Sequence, residues 1–136
     1  MTGAVSAVVD QGPGAIAELA ADALRTVNHL TLAPPSPRTR GWEDVGDLYR
    51  VLGELGVLTE RLPQAIDQLA RHLESPAMRD RCRSDSGTQK TPAALLESAA
   101  DELARAGNLG RDIGRHLAGA RSAVSHLAPF IDEPVP

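Results

Sequence analysis

The densest cluster of reactive side chains is Arg79-Asp80-Arg81-Cys82-Arg83. Three guanidinium groups in five residues suit a phosphate or an acidic partner, because the planar fork matches those oxygens. The same arginines would favour the Cys82 thiolate, so this lone cysteine is a candidate redox or intermolecular disulfide site. Asp80 and Asp85 dilute the positive charge, however, and the whole chain carries 14 basic against 18 acidic residues, a formal charge of −4. Lys90 is the only lysine, which reads as the arginine bias of a GC-rich genome. A solvated loop is the plainer reading, and a nucleic-acid partner is disfavoured. Binding of that kind would weaken steeply with salt.

The other reactive residues fall into no catalytic pattern. His29, His72, His116 and His126 lack the four-residue spacing of helical zinc ligands. Glu-x-x-His, the mark of a carboxylate-bridged metal pair in a helical bundle, is missing. So are Gly-x-Ser-x-Gly and a phosphate-cradling glycine loop. No catalytic, metal or cofactor-binding residue is assigned, and no cofactor is implied. Asp67 with Arg71, Asp101 with Arg105, and Asp112 with His116 read as ordinary pairs one helical turn apart. Aromatic residues make up 2% of the chain, too few for base-stacking platforms. Trp42 and Tyr49, seven residues apart, are a candidate partner contact or the packing site of a neighbouring helix.

These residues need elements to hold them, and the apolar pattern supplies helices only. A first helix is predicted over 14–32, where Ile16, Leu19, Ala23, Val27 and Leu30 form one stripe. Ala33-Pro34-Pro35-Ser36-Pro37 ends it and begins a stiff, extended linker to Gly41. A second helix is predicted over 42–75, with a heptad seam of Val45, Leu48, Leu52, Leu55, Thr59, Leu62, Ile66, Leu69 and Leu73. Residues 76–90 read as a polar loop. Thr91 and Pro92 then open a third helix that runs to 128. Its seam is Leu96, Ala99, Leu103, Ala106, Gly110, Ile113, Leu117, Ala120, Val124 and Leu127, flanked by the small residues Ala93, Ala100, Gly107 and Gly114.

The two long helices have matching lengths, so they predict an antiparallel hairpin ~50–55 Å long. Pro63 and the glycines at 107, 110 and 114 are expected to kink the two arms. Folding about a turn centred near residue 83 sets Pro63 opposite residue ~103. The predicted fold is all-α: this hairpin and the shorter first helix, in one domain that is a three-helix or dimeric bundle. Residues 1–13 and 129–136 read as flexible ends.

The first helix, at ~28 Å, covers about half of one hairpin face. The rest needs a partner, and a second copy of the chain, giving a homodimer, or another helical protein would supply it. No apolar run reaches the ~20 residues that span a bilayer, and no secretory signal is evident, so the cytoplasm is the expected compartment. The amphipathic faces also lack the basic rim that anionic lipid surfaces select.

In size, and in having two long helices, the chain resembles the substrates of type VII secretion. Their Trp-x-Gly lies in the turn between the helices, whereas Trp42-Glu43-Asp44 precedes the hairpin here. Their Tyr-x-x-x-Asp/Glu tail signal has no counterpart, since Gly53 stands four residues after Tyr49. Nothing is carried over from that resemblance. The function expected from sequence is non-catalytic: a helical interaction or oligomerisation module. The alternative is a small regulatory protein that contacts nucleic acid or an acidic partner through Arg79–Arg83.

Overall fold

The structure, a computed structural model, describes residues 3–129, and every regular element in that range is helical. The chain divides into two compact units, Met1–Asp44 and Val45–Pro136.

In the first unit, helix α1 (Gly3–Val8) and a 3-10 turn (Val9–Gln11) occupy a stretch that the sequence reads as irregular. Gly12 adopts φ 93°, a left-handed conformation suited to glycine, and turns the chain into α2 (Pro13–Leu30). Pro13 takes the first helical turn, where its missing N–H leaves no bond unmade.

The proline-rich segment that follows is not extended. It closes on itself around Trp42, whose indole Nε1 donates to the Ala33 carbonyl at 2.8 Å. Ser36 N–H donates to the Trp42 carbonyl at 3.0 Å, and Trp42 N–H donates to Thr39 at 3.0 Å. Gly41, at φ 80°, reverses the backbone to bring the indole round. These three hydrogen bonds close the segment despite its three prolines. Trp42 therefore belongs to this loop and not to the second helix.

The second unit is the hairpin. Helix α3 spans Val45–Glu74, three residues shorter at its start than its sequence pattern suggests. Helix α5 spans Pro92–Val124 and ends in a turn at Ser125 rather than reaching 128. Both are continuous. Pro63 lies inside α3, and α5 passes through Gly107, Gly110 and Gly114 without a break. The turn between them departs from the expected loop, because its first part is a short helix, α4 (Pro76–Arg81). The Ser75 side chain caps it by accepting from Met78 N–H at 3.2 Å, and Pro76 fits its first turn. Beyond α4, Ser84 Oγ donates to the Lys90 carbonyl at 2.6 Å and closes the loop. Thr91 Oγ1 then accepts from Ala94 N–H at 3.2 Å to cap α5.

Helices α3 and α5 pack on each other in an antiparallel register that their glycines define. A Cβ added at Gly107 would meet Ile66, one at Gly110 would meet Pro63, and one at Gly114 would meet Thr59. Pro63 therefore faces Gly110, one heptad further along α5 than a turn centred near residue 83 would set it. The cause is α4, which carries the chain past the end of α3 and moves the turn centre toward Gly87.

Candidate functional site

The centre of the hairpin is built from small side chains. Among the described residues the buried positions are Thr59, Pro63, Ala100, Gly107 and Gly110. Glycines let the two backbones approach closely, and the Pro63 ring fills the space in front of Gly110, with Cγ 3.3 Å from where a Cβ would stand. Pro63 has no N–H to bond Thr59 in the preceding turn. The Thr59 hydroxyl is satisfied within its own helix, donating to the Gly56 carbonyl at 2.9 Å. Thr59 and Gly110 are thus occupied by packing. Among the described residues no buried side-chain nitrogen or oxygen is left without a partner.

This packing line runs beside the heptad seam rather than along it. On α3 it follows Leu52, Thr59, Pro63, Ile66 and Ala70, all buried or half-buried. It combines one row of the seam with the flanking row that contains Pro63. In the other seam row Leu55 is half-buried, but Leu62 and Leu69 are turned aside, and so is Ile113 on α5.

One ion pair fixes which side is which. Arg111 Nη2 bonds Asp67 Oδ2 across the hairpin at 2.5 Å. Asp67 thus pairs across the helices and not with Arg71. On the same side Arg121 lies over the Tyr49 ring, 4.6 Å from its centroid, and packs against Gly53. Arg71, Arg111, Arg115 and Arg121, with Glu60 and Asp67, edge an open groove of about 660 Å³ there. Arg115 pairs with Asp112, leaving His116 out, and Arg105 bonds Glu102 at 2.5 Å rather than Asp101. Each three-residue pair keeps its partners on one helical surface.

The opposite side is aliphatic. In antiparallel helices, equal rotations away from the contact line lead to the same side. Leu62 on α3 and Ile113 on α5 therefore share the face away from Asp67 and Arg111. Leu62 is 44% exposed, Leu69 56%, Ile113 52% and Leu109 63%. Fully burying one such side chain contributes about 1.5–3 kcal/mol. Roughly half remains unrealised at each of these four, a total of about 3–6 kcal/mol. That is a sizeable fraction of a whole domain's net stability, about 5–15 kcal/mol. Scattered exposed leucines need no explanation, but a continuous stripe along two packed helices marks an interaction surface.

The residues singled out by sequence are dispersed. Arg79 and Arg81 lie on α4, Arg83 follows it, and all three are exposed. Cys82 is exposed and free at the end of α4. Trp42 sits in the first unit with its indole N–H engaged, and Tyr49 in the second beneath Arg121. Among the described residues no group of three or more His, Cys, Asp or Glu side chains is arranged to hold a metal ion. Among the described residues no helix is long and apolar enough to cross a membrane. The leucine face was within reach of sequence reasoning, because Tyr49, Gly56, Pro63 and Ala70 run beside the seam and make the apolar stripe wider than one neighbour covers. Its position was hidden by the assumption that the seam itself faces the other arm.

No protein-family model, curated protein or solved structure matches this chain.

Proposed function

We propose that this protein is a cytoplasmic, non-catalytic interaction module that works through the aliphatic face of its helical hairpin. The observation that carries the reading is the exposure of Leu62, Leu69, Leu109 and Ile113 along one side of a hairpin whose fully buried positions are all small residues or proline. Covering that face supplies the burial that the two arms alone do not provide. The polar groove on the other side supports the same division of labour. Its charged rim, which includes the Asp67–Arg111 and Asp112–Arg115 pairs, keeps that side wet. The single cysteine, free and exposed, suits a reducing compartment.

Binding of a fluorescent apolar dye, read before and after Leu62→Gln and Ile113→Gln, tests the reading. A working face gives dye binding or a stable complex that these substitutions abolish while helicity is retained. A chain that neither binds dye nor associates, and does not respond to the substitutions, contradicts it.

A further inference from the structure

We infer that the occupant of the aliphatic face is a second copy of this chain, two hairpins closing face to face into a four-helix bundle. The inference rests on the interaction-module reading above and adds the partner's identity.

Size is the first argument. The two arms overlap over ~40 Å, and two helices packed ~8–10 Å apart present a face ~18–20 Å wide. The product is ~750 Å² per copy, close to the ~800 Å² that each partner contributes to a standard stable interface. A single helix of 18 residues, the length of α2, offers only about a third of that area at ~27 Å by ~10 Å.

Shape is the second. On α3 the row turned to this face is bulky, with Leu55, Leu62 and Leu69. The corresponding row on α5 is small, with Ala99, Ala106 and Ala120 around the one large residue Ile113. The α3 row is a ridge, and the Ala99–Ala106 stretch of α5 is a trough, with Leu109 standing at its outer edge. A two-fold axis parallel to the helices sets the leucine ridge of each copy over the alanine trough of the other. That is the self-complementarity an isologous pair requires. Every neighbouring pair of helices is then antiparallel, as in a four-helix bundle of up-and-down topology. Charge is the third. Leu58, Leu62, Leu69, Leu109 and Ile113 are aliphatic, and the carboxylate nearest them, Glu102 one heptad before Leu109, is paired with Arg105 on its own helix.

Sedimentation velocity of the full chain over a wide dilution range, with reductant present, decides the matter. The wild type is expected to sediment at twice the chain mass. The paired variant Leu62→Glu/Ile113→Glu is expected to sediment at the chain mass with its helical circular dichroism intact, because like charges then face each other across the two-fold. Arg115→Ala, on the polar side, is expected to leave the dimer in place. If the paired variant loses helicity, Leu109→Lys asks the same question with one charge at the outer edge of the face, and its expected result is again a monomer. A wild type that is monomeric throughout overturns the inference, as does a dimer indifferent to both Leu62→Glu/Ile113→Glu and Leu109→Lys. Dye binding by a monomeric wild type would retain the interaction-module reading without self-pairing. Its absence would overturn both.

Discussion

Gly110 and Pro63 face each other across the hairpin, with the proline Cγ 3.3 Å from where a glycine Cβ would be. Each would be a liability in an isolated helix. Proline removes a hydrogen bond at ~3 kcal/mol, and glycine costs about 1 kcal/mol against alanine. Here the ring occupies the space that the missing side chain leaves. The pair sets both the register of the two arms and the line along which they touch.

Substitution at Gly110 should therefore separate packing from propensity. Gly110→Val adds branched volume against a rigid ring and is expected to destabilise by about 1–3 kcal/mol. A Cβ at Gly56 or Gly119 meets nothing within 4 Å. Gly56→Ala and Gly119→Ala are therefore expected to stabilise by about 0.5–1 kcal/mol each. Urea midpoints at one fixed protein concentration check the opposite signs.

The Asp67–Arg111 bridge joins the arms, but both side chains are about half exposed, 42% and 47%. Its coupling is expected to be about 0.2–1 kcal/mol at low salt and to shrink as salt is added. A double-mutant cycle with Asp67→Asn and Arg111→Gln measures it. The same cycle on Asp67 with Arg71 is expected to give a smaller coupling, because Asp67 is turned toward the other helix.

Arg121 over Tyr49 ties the C-terminal part of α5 to the start of α3. Arg121→Gln is expected to cost about 0.5–1 kcal/mol, the scale of a partly exposed cation–π contact. Tyr49→Phe keeps an aromatic face and is expected to cost less than Tyr49→Leu. Thermal unfolding of the three variants gives the ranking.

The arginines at 79, 81 and 83 lie on the turn and not on the aliphatic face. Replacing all three by serine is expected to leave the oligomeric mass unchanged. A change in mass would bring the turn into the interface and contradict the assignment of the working surface to Leu62 and its neighbours.

Much of this architecture is legible in the sequence, for physical reasons. Three- and four-residue apolar steps, Pro13 and the Thr91-Pro92 start are local signals, and α2, α3 and α5 form where they point. Continuity through Pro63 and the glycines follows from a seam that keeps its phase. The parts that escaped depend on contacts between distant residues. Nothing local to Trp42 says that its indole will reach back to Ala33 and fold the proline segment into a closed loop. Asp67 has Arg71 one turn away and still pairs with Arg111, because the register places that guanidinium in front of it. The packing line itself was displaced by one helical row. A leucine seam is the stronger pattern on paper, but glycine and proline rows allow a closer approach, and the leucines are left for another surface. Residues 130–136, read as a flexible end, lie outside the described residues.

What covers Leu62 and Ile113 decides how this hairpin works. Light scattering on the full chain, with reductant and across serial dilution, addresses this most directly. Two hairpins joined through their aliphatic faces predict a mass of about 28.6 kDa, twice the 14.3 kDa of one chain, persisting on dilution. A mass of 14.3 kDa at every concentration would contradict it.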